Sequence, residues 1–204
     1  METKIIKATD ESINNAAKMI QQGDIVAFPT ETVYGLGANA FNVEACKKIY
    51  EAKGRPIDKP LSLHVANRKM IDEIANVSAL AETLINKFMP GAITLILPKL
   101  KKVPDFVTCG KSSVGIRMPN NDIALKLIKT TNCPIAAPSA NLSGKPSPTN
   151  AQAVYDNLKG RIPLIIDGGS CTFGVDSTIV DLTGDKPIIL REGAIEKDIL
   201  INYF

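Results

Sequence analysis

Short apolar runs along the chain alternate with longer segments in which apolar residues recur every three or four positions. Lys4 to Lys7 can form a strand. Beyond it, Ile13, Ala16, Ala17 and Ile20 follow the spacing of one helical face, and Asp10 stands where a capping residue is needed. Gly23 suits the position just past that helix. Asp24 to Phe28 reads as a buried strand ending at Pro29, and Asn42 opens a helix through Val43, Cys46, Ile49 and Tyr50. Leu61 to Val65 is a further strand. Ser78 to Phe88 is a helix closed by Met89-Pro90-Gly91, with strands at Ala92 to Leu97 and Val114 to Met118. Asn121 or Asp122 starts a helix through Leu125 and Ile128, followed by a short strand at Pro134 to Ala137 and a polar loop to Pro148. A helix from Thr149 to Leu158 leads to a strand at Pro163 to Ile166, and the last strands are Thr178 to Leu182 and Pro187 to Leu190. The alternation predicts a three-layer α/β protein with an open, twisted, mixed sheet flanked by helices. No repeat, low-complexity tract or linker interrupts it, which predicts one domain over residues 1–204.

Composition narrows the class. With 204 residues, 45% of them hydrophobic, the chain can bury a core without help from a disulfide or a structural metal. Its 24 basic and 21 acidic residues are spread over both halves, so charge alone does not argue for nucleic acid. The longest near-apolar run, Ala92 to Leu97, is far short of a membrane span. Met1-Glu2-Thr3-Lys4 does not open a secretory signal. The cysteines at 46, 109, 133 and 171 form no CxxC motif, and a single histidine cannot complete a Cys/His zinc site, so no metal ligands are assignable. The expected location is the cytoplasm, away from membranes.

Hydrolase chemistry finds little support. Only His64 could serve as an imidazole base, and neither a G-x-S-x-G elbow nor a P-loop is present. Gly35-Leu36-Gly37 is half of a dinucleotide fingerprint, which is weak evidence. The informative feature is a set of polar clusters, most of them just after apolar strands: Pro29 to Gly37, Lys53-Gly54-Arg55 with Lys59, Arg117-Met118-Pro119, and Ser139-Ala140-Asn141 running on to Ser147. In α/β sheets ligands collect where strands end. Hydroxyls, an amide and several cations converging there match an anionic ligand such as a nucleotide. Arg117 lies inside an apolar strand, where a guanidinium needs an anion, and a ligand carboxylate is one candidate. Lys53 and Arg55 stand at a helix end, from which little contribution to the core is expected.

Together these blocks resemble the YrdC-like family of threonylcarbamoyl-AMP synthases, from about Ile20 to Gly193. Lys53-Gly54-Arg55 is similar to the family's KxR signature and Ser139-Ala140-Asn141 to its SxN signature. Pro29 to Gly37, Arg117-Met118-Pro119, Asp167-Gly168-Gly169 and Val175 to Thr178 match further blocks in order. The resemblance implies an open α/β fold with a concave basic face. It implies synthesis of threonylcarbamoyl-AMP from L-threonine, bicarbonate or carbon dioxide, and ATP with its Mg²⁺, releasing pyrophosphate. The product would pass to threonylcarbamoyl-transferase machinery that modifies tRNA. Matching positions imply that Thr32, His64, Arg117, Ala137 and Ser177 hold threonine, and that Arg55, Lys59, Ser113, Ser139, Ser147 and Arg191 hold ATP. Lys53, Arg55 and Asn141 are the residues expected to act in catalysis. The second C-terminal domain of the family's long form is expected to be missing from this chain, although its Ile189 to Gly193 stretch resembles that form. The alternatives are a carbamoyl-adenylate-forming domain of the hydrogenase-maturation type, and a double-stranded RNA or tRNA-binding module.

Overall fold

The computed structural model describes all 204 residues. Ten strands form one open mixed sheet: β1 (Lys4–Lys7), β2 (Val26–Phe28), β3 (Gly35–Asn39), β4 (Leu63–His64), β5 (Ile93–Pro98), β6 (Ser113–Arg117), β7 (Ile135–Ala136), β8 (Leu164–Asp167), β9 (Thr178–Asp181) and β10 (Ile188–Arg191). They lie in the order β1-β8-β2-β3-β7-β4-β6-β5-β9-β10. Pairs β1–β8, β2–β8, β4–β6 and β5–β9 are parallel and the others antiparallel. One apolar cluster runs from Ile13 to Leu200, so the sheet has a continuous core.

The long helices form where the apolar period and a cap coincide. They are α1 (Asp10–Gln21), α2 (Val43–Lys53), α4 (Ala79–Phe88), α6 (Asp122–Thr131) and α7 (Ala151–Leu158). α1 buries Ile13, Ala16, Ala17 and Ile20, as its spacing predicts. Its cap, however, is Thr9, whose hydroxyl accepts from the Ser12 amide while Ser12 answers through the Thr9 amide; Asp10 is the first helical residue. Asn121, rather than Asp122, caps α6, and Asn150 caps α7. None of the helices is long and apolar enough to cross a membrane.

Four elements lie outside the sequence expectation. Helices α3 (Arg68–Asp72), α5 (Asp105–Thr108) and α8 (Lys197–Ile201) are too short to show a period. β3 arises within the Pro29 to Gly37 block, which the sequence reads as a polar cluster after a strand; two of its five residues are glycine, a poor strand former. A Cβ on Gly37 would lie 2.7 Å from both Phe28 and Ile135, so the glycine admits the side chains of the neighbouring strands. Gly35-Leu36-Gly37 is therefore a close-packed strand and not a phosphate loop.

Candidate functional site

The alternation of β6 turns Gly115 and Arg117 to one face of the sheet, with Ser113 in the same row. The register sets Ile96 of β5 beside Gly115, and Thr94 of β5 beside Ile179 of β9. Apart from Ser113, these residues line a cavity of about 390 Å³. Its floor stays open because residue 115 is glycine: a Cβ there would come within 2.9 Å of Ser62 Oγ.

Four connections build the walls. The turn from β2 to β3 is held by Thr30, whose Oγ1 donates to the Val33 carbonyl at 2.6 Å and accepts from the amides of Thr32 and Val33. Gly54 ends α2 in the left-handed region at φ 59°, which turns Lys53 inward and Arg55 toward the cavity. The Arg55 guanidinium rests on the carbonyls of Lys59 and Pro60. After β7, Ala137 and Ser139 reach the cavity. Before β9, Asp176 and Ser177 are tied to Arg191 of β10: Nη1 lies 3.4 Å from Asp176 Oδ2, and Nε donates to the Ser177 carbonyl at 3.0 Å. Ser177 Oγ is also 2.8 Å from Thr94 Oγ1.

Of the residues expected from the sequence, Arg55, Lys59, His64, Arg117, Ala137, Ser139, Ser177 and Arg191 line this one cavity, whereas Thr32, Lys53, Ser113, Asn141 and Ser147 do not. Thr32 is wholly buried beside Thr30, and Ser147 reaches the wall through Asp176. Lys53 corrects the picture of a solvated helix end. It is 2% exposed, and its Nζ donates to the carbonyls of Ser139 at 2.5 Å and Asn141 at 2.6 Å. Burial, reinforced by repulsion from Arg55, lowers its pKa to about 8. Lys53 thus clamps the Ser139–Asn141 loop from behind.

Arg117 also differs from expectation: it has an internal anion. Its Nη2 lies 2.8 Å from Glu31 Oε2, with both side chains buried. The two atoms are in ion-pair contact without the alignment of a hydrogen bond. Burial lowers the Arg117 pKa, and Glu31 opposes the shift. His64, one strand away in register with Arg117, is pushed down to about 3 by burial and by that guanidinium. It is an uncharged imidazole at neutral pH, and its Nδ1 has no partner. Sequence reasoning missed Glu31, Asp176 and Thr94. Only Thr94 left a readable signal, a hydroxyl within the apolar run of β5.

The Sua5/YciO/YrdC family model, described as telomere recombination, matches residues 18–193. The chain belongs to this family. A threonylcarbamoyl-AMP synthase of Bacillus subtilis is 50% identical over 198 residues, covering 96% of this chain and 57% of the relative. One of Pyrococcus abyssi is 52% identical over 184 residues, 90% of this chain and 54% of the relative. The chain therefore spans a little over half the length of these two relatives. The crystal structure of P. abyssi Sua5 complexed with L-threonine superposes with a TM-score of 0.95 at 46% identity, over 100% of this chain and 61% of that one. Escherichia coli YciO matches with a TM-score of 0.85 at 26% identity, over 94% of this chain and 95% of its own. The ten-stranded sheet is thus the fold of the family.

Proposed function

We propose that this family member condenses L-threonine, carbon dioxide or bicarbonate, and ATP into threonylcarbamoyl-AMP and pyrophosphate. The observation that carries the reading is a single cavity with two kinds of end. Arg117, uncharged His64 and Ser177 stand together at one, with the Arg191–Asp176 pair bonded to Ser177, while Arg55, Lys59 and Ser139 belong to other walls. The first group suits an amino acid, whose carboxylate can take the Arg117 fork. The second suits a triphosphate. The relatives named threonylcarbamoyl-AMP synthase, and the Sua5 complex with L-threonine, support the same assignment.

In this scheme the threonine amine adds to carbon dioxide, and an oxygen of the resulting carbamate attacks the α-phosphorus of ATP. Arg117 anchors the carboxylate, so the amine is presented toward the nucleotide. Arg55 and Lys59 offset the charge that grows on the phosphoryl oxygens and on pyrophosphate. Lys53 acts by holding the loop that carries Ser139. Mg²⁺ would supply further charge neutralisation on the phosphates. No cluster of three acidic, histidine or cysteine ligands exists. The donor set fits an ion carried mainly by the nucleotide, with Asp176 the carboxylate on the cavity wall. The mixed anhydride formed is an activated acyl donor, suited to feed transfer to tRNA.

The test is incubation with ATP, bicarbonate and L-threonine. Pyrophosphate should appear only when all three are present. Equal release with carbamoyl phosphate and no threonine would transfer the assignment to carbamoyl-adenylate formation, and ADP with phosphate would exclude both.

A further inference from the structure

We propose that Glu31 is a specificity-determining residue: it neutralises Arg117 before a ligand arrives, so the amino-acid end of the cavity accepts a net-neutral zwitterion in preference to a simple carboxylate. The inference rests on the amino-acid reading given above and supplies its basis for discrimination.

Glu31 sits in the β2–β3 turn and is 5% exposed. Its carbonyl accepts from the Phe173 amide at 2.9 Å, and the neighbouring Thr32 carbonyl from the Gly174 amide at 3.1 Å, so the backbone there is fixed. Neither carboxylate oxygen accepts a hydrogen bond. A buried carboxylate in that state is costly, and the 2.8 Å approach to Arg117 is the compensation present. Arg117 lines the cavity whereas Glu31 does not, which puts the carboxylate on the protein side of the guanidinium. Arg117 spends only Nε elsewhere, on the Gly91 carbonyl at 3.4 Å, and keeps donors for a ligand.

The surrounding charges complete the balance. Arg191 and Asp176 form a second pair at 3.4 Å, and both act on Arg117. His64 is uncharged. Two cations and two anions therefore meet at this end. Arg55, by contrast, is held by carbonyls only and stays available to phosphate. A carboxylate entering the balanced end alone leaves a buried net negative charge. An amino acid brings its own ammonium and leaves none. If Arg117 lacked Glu31, the preference would run toward the carboxylate.

The test compares, by calorimetry on the whole chain, L-threonine with the hydroxy acid in which a hydroxyl replaces the ammonium. The native protein should favour threonine by tenfold or more. Glu31→Gln should shrink that ratio about tenfold, mainly by tighter binding of the hydroxy acid, while ATP affinity stays as in the native protein. An unchanged ratio in Glu31→Gln that melts cooperatively and binds ATP overturns the role of Glu31 and leaves the amino-acid reading standing. Failure of the native protein to bind threonine overturns both. If Glu31→Gln does not fold, native protein carrying ¹³C at its glutamate carboxyls gives a second test. Threonine should shift the Glu31 resonance, assigned by its loss in Glu31→Asp, and a resonance unmoved at saturation overturns the proposal.

Discussion

Replacing Lys53 with Met tests whether the KxR lysine is a clamp. Met keeps most of the apolar stem and removes the ammonium. The carbonyls of Ser139 and Asn141 then lose a charged donor, and Asn141 Oδ1 loses a contact at 3.3 Å. Each orphaned buried acceptor costs about 1–3 kcal/mol, and the buried Met returns about 1 kcal/mol. For the two carbonyls the net loss is about 1–5 kcal/mol, or about 2–20 °C in melting temperature for a chain of this size. The pH dependence adds a signature. Lys53 titrates near 8 in the folded chain and at 10.5 when free, so between those values the unfolded state binds more protons. The cost of burying the ammonium, present in full below pH 8, is therefore relieved as pH rises from 8 to 10.5, by up to about 3 kcal/mol. The stability gap between native and Lys53→Met should widen across that window. Thermal melting and urea titration from pH 7 to 10 measure it. A melting temperature within 2 °C or so of native, or a gap that narrows as pH rises, would refute the clamp.

Arg55→Ala should weaken ATP binding by about 1.5–3 kcal/mol, read by calorimetry, with little change in melting temperature, because Arg55 touches only surface carbonyls. His64 titrates near 3 when folded and 6.5 when free, so the unfolded state binds more protons between those values. Stability should fall as pH drops from 6.5 toward 3, and urea midpoints of His64→Gln should fall less steeply. Gly193→Ala should lower stability by about 1–3 kcal/mol. Its Cβ would lie 2.2 Å from the Asp176 carbonyl oxygen, a backbone atom that cannot rotate away, and a melting temperature equal to native would show that the contact yields.

What the sequence revealed followed from local physics. The caps and periods of α2, α4 and α6 are contained in a dozen residues each, and the strand-end rule located the polar clusters because each lies beside its own strand. β3 escaped because its glycines make room for Phe28 and Ile135, and the latter is a hundred residues away. Lys53 was misread for the same reason. A lysine at a helix end faces water unless something folds over it, and here Ser139 to Asn141 does.

The charge of the site has the same origin. The family resemblance and the Arg117 strand together suggest a basic, ligand-seeking face. Sheet order and the β2–β3 turn instead bring Glu31 against Arg117, and β9–β10 pairing brings Asp176 against Arg191. Neither pairing is encoded by spacing, and each cancels a cation that sequence reading assigns to a ligand. Arg55 forms no ion pair of the Arg117 kind because α2 ends at Gly54 and its guanidinium donates to the carbonyls of Lys59 and Pro60. The cavity is therefore basic in one part and balanced in another, the distribution that the proposed pairing of a polyanion with a zwitterion calls for.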